Sequence, residues 1–153
     1  MSSLELKVPP PLIGLTVAAA MWLLAGALPD WGWDYPWRVE LALLVALVGV
    51  GFDLAGLIAF RVARTTINPL KPGNSSALVV SGVYRLTRNP MYVGMLFLLF
   101  GWAAWLGHAL AVLLIPVFVV YISRFQIAPE ERILRSKFGE PFDAYTRRVR
   151  RWL

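Results

Sequence analysis

The sequence contains no cysteine and one histidine, His108. Disulfides, thiolate metal sites and thiol nucleophiles are thereby excluded, and a single imidazole cannot build a multi-histidine metal centre, so no metal is expected. Charge is scarce as well. Asp, Glu, Lys and Arg make up 16% of residues against 58% apolar ones, too few to cover a globular surface of ordinary composition. Long uncharged runs take up the difference, at 12–28, from Glu40 or Leu41 to Phe60, at 91–106 and at 109–123. They predict an all-α polytopic membrane protein with about four transmembrane helices. The last two runs are separated only by Gly107-His108 and span roughly 23 Å each as helix, which predicts a short, tight hairpin over 91–123. His108 reads as an interfacial turn residue.

The few cations are unevenly placed. Of fifteen Lys and Arg residues, fourteen fall at the N-terminus, between 61 and 88, or from Arg124 onward, and only Arg38 falls elsewhere. This is the positive-inside pattern. It places both termini and the 61–90 connection on the cytoplasmic face, with the Trp/Tyr-rich loop 29–38 opposite, in a multi-pass protein of a prokaryotic inner-membrane type. A single domain is expected over 1–153, with two N-terminal helices within 9–60 and a catalytic region over 61–153. Lys7 alone is a meagre n-region for a signal peptide, so the first helix is expected to be retained.

Glycines Gly49, Gly51 and Gly56 in the second run suggest close helix packing. Asp53 is the one acid inside a membrane run, either functional or paired with an arginine toward the basic end. Residues 65–76, rich in turn formers, read as irregular. Pro129-Glu130-Glu131 reads as the start of a separate amphipathic helix with Ile133, Leu134 and Phe138 at helical spacing, ended by Gly139. The basic, Trp-bearing tail 147–153 reads as lying on an anionic leaflet.

Two polar clusters interrupt this apolar chain, at 81–94 and at 129–132. In the first, Gly82 permits backbone geometry that other residues resist, and Asn89-Pro90 presets a helix start. The amides of that helix start and the Arg88 fork suit an anionic group such as a carboxylate. Tyr84 and Tyr92 offer aromatic faces to a base or a cation. Without a ligand, the same residues read as a helix cap with snorkelling arginines. Glu130 and Glu131 suit a helix first turn in any case, and equally suit ribose hydroxyls or a cationic ligand. S-adenosylmethionine carries an adenine, a ribose diol, a carboxylate and a sulfonium, and the two clusters together offer a partner for each.

The blocks Thr66…Pro69…Leu78-Val79…Gly82-Val83-Tyr84-Arg85, Arg88-Asn89-Pro90-Met91-Tyr92-Val93-Gly94 and Glu130-Glu131…Leu134…Phe138-Gly139…Phe142…Tyr145…Val149 closely resemble the isoprenylcysteine carboxyl methyltransferase and phospholipid methyltransferase superfamily, over about residues 60–153. The resemblance implies an integral-membrane enzyme that binds S-adenosylmethionine on the cytoplasmic side, releases S-adenosylhomocysteine and methylates a lipophilic acceptor from the bilayer. It implies cofactor contacts at Val80, Gly82, Tyr84, Arg88, Asn89, Pro90, Tyr92, Gly94, Glu130 and Glu131. Arg124 would orient the acceptor, and Glu131 or Asp53 would take a proton from an amine acceptor. Asn89, where prenylcysteine enzymes usually carry histidine, makes the chain more similar to the phospholipid N-methyltransferases. Two other readings are an NADPH-dependent membrane reductase related to sterol reductases and a non-catalytic membrane protein retaining the fold.

Overall fold

The computed structural model describes residues 5–63 and 77–153. Arg64, Thr66, Pro69 and the turn-rich stretch 65–76 lie outside the described residues. Among the described residues five helices follow in order: α1 (Pro10–Ala27), α2 (Arg38–Val62), α3 (Pro90–Leu106), α4 (Ala109–Phe138) and α5 (Glu140–Arg148), with single 3-10 turns at Pro29–Trp31 and Gly82–Arg85. The protein is thus an all-α membrane protein. Helices α1, α2 and α4 are long and apolar enough to cross a bilayer, and α3, with 17 residues, is the shorter apolar helix between them.

The core forms where α1, α3 and α4 meet. Ile13, Met21, Tyr92, Leu99, Ala103, Ile115, Phe118 and Ile122 are buried there. Helix α2 packs on the other side of α3, and glycines set the spacing. A Cβ at Gly49 would lie 2.7 Å from the Gly94 carbonyl oxygen, and one at Gly101 would lie 2.8 Å from that of Ala42. Gly56 is similarly closed off by Met91, at 2.9 Å. The expected close packing therefore holds at Gly49 and Gly56. It fails at Gly51, which faces open space.

At one end the 28–37 loop clips the α3–α4 turn. Trp33 N donates to the Gly107 carbonyl at 2.7 Å, the Tyr35 hydroxyl to the Ala104 carbonyl at 2.8 Å, and His108 Nε2 lies 2.8 Å from the Leu28 carbonyl. Gly107 makes the turn in the left-handed region, at φ 57°. His108 does sit at the turn, but its side chain is buried by the loop instead of lying at an aqueous boundary.

The expected break after Ser123 and new helix at Pro129 are not what forms. Helix α4 runs on to Phe138 through a π turn at Ser123–Ile127, where the Ala128 N–H reaches the Ser123 carbonyl. Pro129 has no N–H for the carbonyl four residues back. That carbonyl, of Phe125, instead accepts the Leu6 N–H at 3.1 Å. The N-terminal segment thus supplies the bond that proline withholds, and the helix continues.

Candidate functional site

At the end of the bundle opposite the loop clip, the two polar clusters meet. Asn89 is non-helical, at φ −132° and ψ 57°, Pro90 occupies the first turn of α3, and the helix starts there as the sequence predicts. This points Tyr92 at α4, where its hydroxyl donates to Glu130 Oε1 at 2.6 Å. Glu130 Oε2 makes no hydrogen bond, and no Lys or Arg pairs with Glu130, among the described residues. Next to it Glu131 is enclosed by guanidiniums. Arg88 approaches Oε1 at 3.3 Å, and Arg151 holds Oε1 and Oε2 at 3.2 and 2.6 Å.

Arg151 belongs to a segment that reads as a leaflet-bound tail in the sequence. In the structure the 149–153 stretch crosses the site as a strap. Its Arg150 carbonyl accepts the Arg88 N–H at 2.9 Å, and its Arg151 carbonyl accepts Asn89 Nδ2 at 2.8 Å and the Thr87 hydroxyl at 3.1 Å. Trp152 Nε1 donates to Ser123 Oγ at 3.1 Å. The strap wins over the leaflet because several unsatisfied donors before α3 and the Glu131 carboxylate all find partners in it. The anion cradle expected at the start of α3 is correspondingly filled from within: the Asn89 N–H goes to Thr87 Oγ1, and those of Tyr92 and Val93 go to the Asn89 carbonyl.

Gly82 has φ 61°, in the left-handed region, and opens the 3-10 turn that carries Tyr84. The Tyr84 ring packs edge-on against Phe60 of α2, and its carbonyl accepts the Tyr145 hydroxyl at 2.7 Å. Burial, then the neighbouring Tyr145 and Glu130, push the Tyr84 phenol well above its ordinary range. Burial does the same to Tyr145, against the pull of Arg88. Both phenols therefore stay protonated, and both lie within electrostatic reach of the paired clusters. Val79 is buried against Ala59 and Tyr84 and anchors the approach to Gly82, whereas Val80 is exposed.

Other predicted site residues are not brought to the acids. Gly94 lies two residues from Tyr92, about 200° around the helix, and faces α2. A Cβ there would collide with the Asp53 carboxylate. Asp53 thus lies across α3 from Glu130, and it forms no ion pair among the described residues. Arg124 is exposed and lies 3.7 Å from Glu5, whose buried carboxylate also takes Arg132 at 2.6 Å. Glu5 is absent from the sequence reading, and Arg132 and Arg151 enter it only as members of the 129–132 cluster and of the basic tail, without partners.

Among the described residues, Glu130 Oε2 makes no hydrogen bond at this end, and Arg88 Nε and Gln126 Oε1 are buried without partners. An acceptor and a donor so placed suit a ligand carrying both signs of charge, since buried polar groups are rarely left unpaired.

The family model described as phospholipid methyltransferase matches residues 37–141. An uncharacterized protein of Haemophilus influenzae is 48% identical over 63 residues, which is 41% of this chain and the whole of that relative. No solved structure matches.

Proposed function

Because the chain belongs to the phospholipid methyltransferase family, we propose that it uses S-adenosylmethionine to methylate a lipophilic acceptor held in the bilayer. The observation that carries this reading is the Tyr92–Glu130 contact, which joins the two polar clusters and leaves one carboxylate oxygen free. The residues present fit the cofactor. A partly buried carboxylate without a cation seeks one, and Glu130 is placed to face a sulfonium or ammonium. Arg88 Nε, a buried donor without an acceptor, is placed to take a carboxylate. When bound, S-adenosylmethionine supplies an electrophilic methyl group on its sulfonium.

The chain's own work is to bind, orient and dry the site, which is where most of the rate of such a transfer arises. Glu131 is held by two guanidiniums and is better suited to fixing Arg88 and Arg151 than to accepting a proton. Glu130 Oε2 has the free lone pairs, so it replaces Glu131 and Asp53 as the acceptor of a proton from an amine substrate. Asp53 takes a packing role beside Gly94. Arg124, exposed within the Ser123–Ile127 turn, is proposed to orient the acceptor headgroup. The basic end carrying both termini is proposed to face the cytoplasm.

Calorimetric titration of detergent-purified protein with S-adenosylhomocysteine, beside the Glu130→Gln variant and beside NADPH, tests the reading. Micromolar binding that weakens in the variant supports it. Binding of NADPH alone would move the assignment to a reductase, and binding of neither to a non-catalytic protein.

A further inference from the structure

The opposite end of the bundle holds a second feature. A cleft of about 440 Å³ opens between the last turns of α1 and α3 and the first residue of α2, lined by Trp22, Leu23, Gly26, Arg38, Trp105 and Leu106. Trp105 lies 13 positions beyond Tyr92, roughly 20 Å along α3, so the cleft is separate from the Glu130 site. Its volume falls in the range of small-molecule sites, about 300–1,000 Å³.

We infer that this cleft binds an anionic phospholipid, with the headgroup phosphate on Arg38 and an acyl chain along Trp22, Gly26 and Trp105. Among the described residues Arg38 is the single Lys or Arg at this end of the molecule, in a sequence that otherwise concentrates cations elsewhere. Its one ion-pair partner among the described residues, Asp34, lies four residues back in the loop before α2, at 3.3 Å, and is 85% exposed. Such a pair contributes little and yields readily to a better anion. The walls are preformed. The Trp105 ring stacks on Trp102 at 4.8 Å between centroids, and Trp102 Nε1 is fixed to the Ala18 carbonyl at 3.0 Å. Gly26 leaves the floor open, with nothing within 4 Å of where a Cβ would stand. A soluble anion would leave the indole and leucine walls in water. A ligand with a phosphate and an acyl chain covers both kinds of surface, and the surrounding bilayer supplies it at the depth where tryptophan rings settle.

The test is native mass spectrometry of the delipidated full chain in detergent, titrated with phosphatidylglycerol or phosphatidylcholine. One phosphatidylglycerol per chain is expected to be retained in preference to phosphatidylcholine. Arg38→Gln should lose roughly the fivefold that one cation is worth toward an anionic lipid, and Asp34→Asn should strengthen retention. Gly26→Leu, which fills open space without a clash, should weaken both lipids while leaving thermal stability in place. Equal retention by the wild type and Arg38→Gln, or displacement of the lipid by inorganic phosphate, would overturn the inference. S-adenosylhomocysteine binding should be the same in all these variants, so this outcome and that of the methyl-transfer reading are separately readable.

Discussion

Tyr92 and Glu130 stand 38 residues apart and share a hydrogen bond of 2.6 Å. Through it the first turn of α3 and the C-terminal half of α4 become one surface. Glu130→Gln preserves the shape and an acceptor oxygen but removes the ionisable carboxyl group. We expect S-adenosylhomocysteine affinity to fall by about tenfold or more, the equivalent of ~1.4 kcal/mol. Tyr92→Phe should cost ~1–3 kcal/mol of stability by leaving Glu130 Oε1 without its donor, read by thermal unfolding in detergent. Unchanged affinity in folded Glu130→Gln would remove this carboxylate from the site.

Arg151 and Glu131 are coupled through two hydrogen bonds, and the strap carries further bonds to Thr87, Arg88 and Asn89. Arg151→Gln and Glu131→Gln should therefore share one phenotype: weakened cofactor binding in a folded protein. A double-mutant cycle should return a coupling on the order of 1–3 kcal/mol. Additive effects would mean that the strap and the acid act separately.

The α2–α3 contact predicts opposite fates for neighbouring glycines. Gly94→Ala drives a methyl group into Asp53 and the Gly49 carbonyl, and overpacking of this kind costs about 1–3 kcal/mol. Gly51→Ala meets nothing within 4 Å and should stabilise the helix by about 0.5–1 kcal/mol. Thermal unfolding of the two variants side by side checks the order.

The Phe125 carbonyl accepts from Leu6 because Pro129 offers no N–H. Pro129→Ala introduces a competing donor. The Leu6 amide should then exchange hydrogen faster, and Glu5 should hold Arg124 and Arg132 less firmly. Hydrogen–deuterium exchange over the N-terminal peptide reads this directly, and unaltered exchange would show that the proline is not what recruits the segment.

The helices and the meeting of the two polar clusters are legible in the sequence. Long uncharged runs leave few alternatives to membrane helices, and Asn89-Pro90 marks a helix start by covalent geometry alone. The strap is not legible. Arg151 lies in a basic run that looks like a leaflet-bound tail, and what recruits it is a carboxylate 20 residues away, which no local pattern announces. Glu5 reaches Arg132 across 127 residues for the same reason. The uninterrupted α4 was hidden by Pro129, which resembles a helix start because the compensating donor comes from elsewhere in the chain. Gly94 shows a different loss: motif spacing groups it with Tyr92, but helical geometry sends the two to opposite faces.

The π turn at Ser123–Ile127 also works as a phase shifter. It holds one residue more than regular α-helical winding needs, so the helix beyond it is turned by about 100° relative to the helix before it. The apolar rhythm that seats Ile115, Phe118 and Ile122 in the core and the rhythm that brings Glu130 to Tyr92 therefore belong to two different frames of a single helix. Removing one residue from the turn would leave every side chain of the site in the protein while rotating the acid pair away from α3.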